Sequence, residues 1–394
     1  MICPSRLEID LTQLDANLSA VRRLVGPGVA VCGVVKADAY GLGIQPIAGR
    51  LRRCGINMLA VYSLEQAEAL VEHVTDVAVL VLMPICQFKR DGSLGRAAAS
   101  GLLHLSIHSQ AQIGQVDRIG RSCAVQLPVH LYVDTGMCRG GLSPDQLEPA
   151  IGSILDSKHL RLAGLYTHFA AADDDVSFTE QQLARFDRVL KSCPLAHAAG
   201  VNTHVANTFA TYRERRYHKS MVRVGLGLYG YGPQLIRGRN LSTGETAVRP
   251  VLRWLSRIVH VGSYAMGSTV GYNRTHRLTR TSRLAVVPVG YGDGYPLALG
   301  NRAQVGVAAD DGTYVPAPVV GKVNMDQIVI DLTDTPAAGR TGADVELIGN
   351  DNESPYGLPR LAELAGSSCY EMLCGLSGRL RRQYVEPSRL GVRS

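Results

Sequence analysis

The sequence predicts an α/β protein in which a (β/α)8 barrel of the TIM type is followed by a mainly β C-terminal domain. Three observations carry that expectation. Eight short apolar, β-branched runs recur between Val29 and Val224, with longer helix-like segments between them. The runs are continuously apolar rather than alternating. From about Arg237 the pattern changes to strand-like runs separated by Gly, Asp and Pro.

The runs lie near Val29–Val35, Met58–Val61, Val77–Leu82, Leu103–Ile107, Leu127–Val133, Leu162–Tyr166, Val201–Val205 and Met221–Val224. Strands buried on both faces of a parallel sheet need such unbroken apolar stretches. Ser63–Glu72, Ser109–Ile119, Ser143–Leu155 and Phe178–Ser192 read as helices, and Ser63 followed by Gln66 reads as a capping box. Eight strands joined by helical crossovers close economically into a barrel. Periodicity alone leaves a doubly wound open sheet as the alternative. Beyond Arg237, Val251–Val261, Leu284–Val289, Ala303–Val307, Ala317–Val323, Ile328–Leu332 and Val345–Ile348 are strand-like, and the first helix of any length is Leu358–Ala365. This divides the chain into a barrel over 1–237 and a mainly β domain over 238–394, with the polar segment Gly238–Glu245 as linker.

The 394 residues leave room for two domains, and 46% hydrophobic with 19% charged residues excludes a disordered chain. The net charge of +7 raises nucleic acid as a partner. However, the densest basic runs, Arg213–Lys219 and Arg379–Arg382, match no nucleic-acid motif and read as solvated faces or as a field for small anions. No apolar run approaches the length of a membrane span. Met1–Asp10 acquires acidic charge early and lacks the core of a secretion signal. Nine cysteines without a CxxC pair point to reduced thiols and a cytoplasmic setting.

A barrel collects its chemistry at the carboxyl ends of its strands. Polar residues stand there in this chain: Lys36 and Tyr40 after the first run, Asp134 and Arg139 after the fifth, His168 after the sixth, Asn207 after the seventh, Arg223 and Gly225 at the eighth. A lysine at the end of a buried strand is costly to charge, so its amine is a candidate for bonding covalently to a carbonyl. On those residues alone, a lysine reaching out to solvent is the competing reading.

The segment VVKADAYGLG at 34–43 resembles the cofactor-lysine signature of alanine racemases, commonly VVKANAYGHG. Further similar segments follow in order: VDTGM at 133–137, GLYTHFA at 164–170, HVANT at 204–208, VRVGLGLYG at 222–230, VGYGDGYP at 289–296, VNMDQ at 323–327 and YEMLCGLSGR at 370–379. The resemblance covers nearly the whole chain. It implies pyridoxal 5'-phosphate as cofactor, bonded to Lys36, which also serves as one acid/base. Tyr40, Asn207, Thr208, Tyr370 and the backbone of Gly225 and Leu226 would hold the phosphate. Arg223 would face the pyridine nitrogen and keep it unprotonated, which weakens the cofactor as an electron sink. Tyr272 matches the family's second base. A phenol needs help in that role at neutral pH, and a hydrogen-bonded chain through His168 and Arg223 would supply it. Met325 and Asp326 match the substrate-carboxylate loop. Arg139 would also face the substrate. The family further implies a homodimer with shared active sites and supply of D-alanine for bacterial cell-wall peptide.

The match breaks in places. Where the family commonly has a carbamylated lysine in HLKVDTGM, this chain has Tyr132, whose hydroxyl could accept one hydrogen bond from Arg139. Asp38 and Leu42 replace the usual Asn and His. These departures leave open a racemase of wider range, taking serine or larger amino acids. A barrel-type decarboxylase is disfavoured because no His-x-Gly-Ser segment occurs. A non-catalytic cofactor-binding protein is disfavoured because the β domain is present. Two shorter motifs are set aside. Gly225–Gly230 satisfies GxGxxG but is not followed by a helix pattern, as a dinucleotide site needs. His104 and His108 lie four apart with no carboxylate near, so a structural role is preferred to a metal site.

Overall fold

The computed structural model describes residues 4–88, 91–236, 246–335 and 339–386. The strand β1 (Arg6–Asp10) is followed by eight parallel strands, β2 (Ala30–Val34), β3 (Met58–Val61), β4 (Ala78–Val81), β5 (Leu103–Ile107), β6 (Leu127–Tyr132), β7 (Leu160–Tyr166), β8 (Asn202–His204) and β9 (Met221–Val224). Neighbouring strands pair in the order β8-β7-β6-β5-β4-β3-β2-β9. The seam between β8 and β9 is bridged by Ser220 N–H to the Thr203 carbonyl (3.1 Å) and Arg223 N–H to the Ala206 carbonyl (2.9 Å). All eight apolar runs are therefore barrel strands. Helices Leu64–Val71, Gln110–Cys123, Leu147–Leu155 and Val176–Ser192 occupy the predicted crossovers.

The Ser63 hydroxyl accepts from Gln66 N–H as expected, but Gln66 Oε1 accepts from Tyr62 N–H (3.0 Å), not from Ser63.

The second region is built on a six-stranded sheet in the order Tyr314–Pro318, Gln304–Ala308, Asp344–Ile348, Leu252–Arg257, β1, Arg381–Val385. Here β1, which the sequence division placed with the barrel, pairs antiparallel with Leu252–Arg257 and parallel with Arg381–Val385. Its alternation explains this: Leu7 and Ile9 are fully buried while Arg6, Glu8 and Asp10 face outward, the pattern of a sheet covered on one side. The run Val251–Val261 is two strands, Leu252–Arg257 and His260–Tyr264, which lie in different sheets. The run Ala317–Val323 becomes Tyr314–Pro318, because Pro316 and Pro318 sit on an edge strand where their missing N–H groups cost nothing. Helix Cys369–Cys374 and strand Arg381–Val385 have no counterpart in the periodicity. The expected linker Gly238–Glu245 lies outside the described residues. Among the described residues no helix is long and apolar enough to cross a membrane.

The basic runs are not simply solvated. Arg213 is buried and donates to the carbonyls of Ala172 (2.8 Å) and Asp173 (2.9 Å). Arg382 donates to the carbonyls of Gly41 (2.9 Å), Ser377 (3.1 Å) and Leu380 (3.0 Å). The last of the fold's strands thus reaches back to the end of β2.

That contact holds an unusual turn. Ala37, Asp38, Ala39 and Tyr40 all have φ between 52 and 60°. Left-handed backbone costs an L-residue roughly 1–2 kcal/mol, so four in succession persist only where the surroundings impose them. Asp38 Oδ1 accepts from Ile44 N–H (2.7 Å), Arg382 Nε donates to the Gly41 carbonyl and Tyr384 Oη to the Leu42 carbonyl (2.9 Å). Gly41 continues at φ 78°, and a Cβ there would lie 2.6 Å from the Leu373 carbonyl oxygen. Gly41→Ala should therefore cost about 2–3 kcal/mol of stability, combining left-handed strain with a clash against backbone. Gly26→Ala, at φ 83° with nothing within 4 Å, should cost about 1 kcal/mol. Denaturant melts of the two variants test this, and equal stabilities would show that the turn is not clamped.

Candidate active site

The turn delivers Lys36 into a cavity of about 550 Å³ at the carboxyl ends of the barrel strands. Tyr40, Arg139, His168, Asn207, Thr208, Arg223, Gly225 and Tyr370 line the same cavity. Of the site residues expected from sequence, nine meet here, contributed by five different strand ends and by helix Cys369–Cys374. Leu226 is the exception on this side. Its side chain is fully buried in the core and does not line the cavity.

Arg223 is the third residue of β9 rather than a residue after it. Its guanidinium is buried and donates to the carbonyls of His204 (2.9 Å) and Thr167 (2.9 Å), to His204 Nδ1 (2.7 Å) and to His168 Nδ1 (3.3 Å). It lies over the Tyr166 ring at 5.3 Å, a cation–π contact. Burial, with the charges of Arg223, Arg139 and Lys36, pushes His168 down to about 3, so it is neutral and can accept from Arg223. Burial also lowers Lys36, helped by Arg139 and Arg223.

Thr208 Oγ1 accepts from Gly225 N–H (3.3 Å) and Gly227 N–H (3.2 Å), which leaves its own O–H to donate. Asn207 caps the helix Thr208–Arg213 by accepting from Ala210 N–H (3.0 Å), so only its amide N–H₂ remains for a ligand. A Cβ on residue 225 would come 2.3 Å from Tyr40 Oη, so a glycine is needed for that hydroxyl to reach the backbone. Three cationic side chains line the cavity and, among the described residues, no carboxylate does. Such a cavity suits a ligand bearing phosphate and carboxylate groups.

Sequence reasoning missed several wall residues. Tyr166, His108 and Tyr62 line the cavity. Tyr166 closes β7 within a quoted motif, and its position as an inward residue at a strand end was the available signal. His108, set aside as structural, bonds Ser106 Oγ (3.0 Å) and the Leu82 carbonyl (2.9 Å) at the wall. Asp134 does not face the ligand, for its carboxylate accepts from Gly136, Met137 and Cys138 N–H and shapes that loop. The GxGxxG segment forms consecutive turns after β9, followed by a single short 3-10 turn at Pro233–Leu235 and by no α-helix, as its flanking sequence implied.

Tyr132 departs from expectation. Its hydroxyl is buried without a hydrogen-bond partner, so the bond from Arg139 does not form. The ring is instead held by stacking on Tyr166 (4.8 Å, 17°) and edge-on against His108.

Tyr272, Met325 and Asp326 do not line this cavity within one chain. Tyr272 is 70% exposed and Met325 is 56% exposed. The link from Tyr272 to His168 and Arg223 is therefore not made within the protomer. The Met325 segment is tied to its neighbour nevertheless: Tyr291 N–H donates to the Asn324 carbonyl (3.0 Å) and Gly292 N–H to the Met325 carbonyl (2.9 Å). Arg379 bridges Asp293 (2.7 Å) and Asp326 (2.8 Å), so the Asp326 carboxylate is committed to the loop.

The family model described as alanine racemase, N-terminal domain, matches residues 9–233, and that described as alanine racemase, C-terminal domain, matches residues 251–384. The chain belongs to the alanine racemase family. An alanine racemase of Halothermothrix orenii is 34% identical over 388 residues, covering 97% of each chain. Among solved structures, the alanine racemase from Streptomyces coelicolor superposes with a TM-score of 0.85 at 29% identity, covering 97% of this chain and 98% of that one. The alanine racemase from Bartonella henselae with covalently bound pyridoxal phosphate gives 0.80 at 26% identity, covering 97% and 100%.

Two outcomes follow from the cavity. A lowered Lys36 holds more neutral amine at pH 7 than a surface lysine does, so pyridoxal phosphate followed by borohydride should label Lys36 first, with selectivity fading as pH rises and the other lysines deprotonate. Peptide mapping that finds another lysine labelled first at pH 7 overturns the assignment. Because a phenol cannot carry a carbamate, racemase activity should not respond to bicarbonate. A bicarbonate requirement would place the carbamylated group elsewhere.

Proposed function

We propose that this protein interconverts L- and D-alanine, using pyridoxal 5'-phosphate bonded to Lys36. The observation that carries the reading is the cavity itself: a half-buried lysine amine beside a buried guanidinium, with Arg139 as a third cation and, among the described residues, no carboxylate in the lining. The cofactor, when bound, makes the α-proton of an amino acid acidic enough to exchange. The chain's residues do the rest. Lys36 moves a proton on one face, while Tyr40, Tyr370, Thr208, Asn207 and Gly225 hold the phosphate. Arg223, a permanent donor, faces the ring nitrogen, and Arg139 faces the substrate carboxylate.

Exchange that inverts configuration needs a second acid/base on the opposite face. Tyr272 fills that role, with the Met325 backbone N–H binding the substrate carboxylate. Both stand exposed on the β domain, which supports a two-fold homodimer in which each chain completes its partner's cavity. A cytoplasmic location accords with the unpaired cysteines. The orphaned Tyr132 hydroxyl beside the substrate end favours, as a second reading, a range that extends to serine and larger side chains.

Incubation of the pure protein with single L-amino acids, each read by chiral chromatography, tests both readings. D-alanine formed fastest supports the first, and faster formation of another enantiomer supports the second. No enantiomer formed from any of them refutes racemization. The shared site has its own test in mixed dimers of Lys36→Ala and Tyr272→Ala chains, each homodimer being nearly inactive. In the heterodimer one cavity carries both lesions and the other none, so activity should return to about half the wild-type level. A verified heterodimer that stays inactive places both residues in one chain's site.

A further inference from the structure

Below the cavity, the inner wall of the barrel is not apolar. Arg223 Nη1 donates to His204 Nδ1 (2.7 Å), His204 Nε2 lies 2.9 Å from His130 Nδ1, and His130 Nε2 lies 2.9 Å from His104 Nδ1. The three rings are buried: His130 and His204 fully, His104 to 8% exposure. Strand register gives the line a direction. His204 is level with Tyr166 and Tyr132, His130 lies two residues lower, level with Ser106, and His104 two residues lower again. The line thus descends from the rim toward the amino ends of the strands.

Room for it is built in. A Cβ on residue 164 would lie 2.2 Å from His130 Nδ1, so Gly164 is the vacancy into which that ring fits. Tyr166 stacks parallel on His204 at 4.9 Å and 2°. Burial holds all three imidazoles below their usual range, with the Arg223 charge adding to the effect on His204.

We propose that His204, His130 and His104 form a one-way hydrogen-bond chain that positions Arg223, with His104 as its terminus. A guanidinium can only donate. His204 Nδ1 must therefore accept, which puts its single proton on Nε2 and makes His130 Nδ1 the next acceptor. The same step repeats at His104, whose remaining N–H is left for the Gly101 carbonyl. Each ring is fixed as the neutral Nε2–H tautomer, because a second proton on any of them would set N–H against N–H. The plane of His204, and with it the orientation of Arg223 toward the cavity, is then held by a residue far below the rim. The consequence for chemistry rests on the reading that Arg223 faces the cofactor's ring nitrogen, whereas the chain itself does not.

Ring-nitrogen NMR of histidine-labelled, cofactor-free protein at neutral pH reads the tautomers directly. His104, His130 and His204 should all be neutral with the proton on Nε2, and an Nδ1–H tautomer or an imidazolium among these three overturns the chain whatever the variants do. His104→Phe keeps a ring but removes the acceptor, so the His130 and His204 ring signals should move. In the loaded enzyme kcat should fall about tenfold with KM unchanged, and transamination should rise relative to racemization. His104→Gln, whose amide oxygen accepts, should restore kcat to within about twofold of wild type. A His104→Phe protein whose ring signals and kcat both match wild type refutes the positioning role. Ring signals that move as expected in a protein that binds no pyridoxal phosphate would leave the chain standing and instead refute the proposed function.

Discussion

A permanently charged guanidinium is buried at the rim of this barrel with, among the described residues, no carboxylate beside it. Burying such a charge costs several kcal/mol unless its donors are all used. Arg223 offsets much of that cost through Nη1 and Nη2, which donate to carbonyls at the ends of β7 and β8 and to two imidazoles. Those bonds span the seam where the ladder between β8 and β9 is incomplete. The same group therefore closes the barrel and sets the field of the cavity. Because the charge is unneutralised within the protein, the cavity keeps an appetite for anions.

The second dependence runs between the two regions. Lys36 is followed by four residues of left-handed backbone, which no local preference of Ala, Asp or Tyr would sustain. The restraint comes from the far end of the chain: Arg382 and Tyr384 bind the carbonyls of Gly41 and Leu42, and helix Cys369–Cys374 packs its backbone against Gly41. Strand Arg381–Val385 is itself anchored by pairing with β1. The turn that follows Lys36 is thus clamped by the two ends of the described chain meeting in one sheet. Asp38, a departure from the family's usual residue, takes part by capping the helix that follows.

Much of this was legible in advance. The eight barrel strands are continuous apolar runs, and a run needs no knowledge of its neighbours to be recognised. The residues at their ends converge because barrel topology brings all strand ends to one rim. What escaped was structure whose signal is weak or non-local. β1 is five residues long, and only its alternation hints at a one-sided sheet. The Arg379–Arg382 run looks like solvated charge until carbonyls from residues over 300 positions away are placed beside it. The histidines on β5, β6 and β8 look isolated in sequence, and only the register of the parallel strands lines them up.

By itself, the sequence determined which segments form the barrel, which residues line the cavity at its rim and which family the chain belongs to. Those are properties of local patterns: apolar continuity, motif order and residue type at strand ends. The tertiary structure alone decided the left-handed turn after Lys36, the isolation of the Tyr132 hydroxyl and the exposure of Tyr272 and Met325 away from the cavity of the same chain. Each of these depends on atoms distant in sequence that satisfy, or fail to satisfy, one hydrogen-bonding group. A linear pattern records which groups a chain possesses, but partnership in a buried, low-dielectric interior is settled only by which of them the fold brings within about 3 Å.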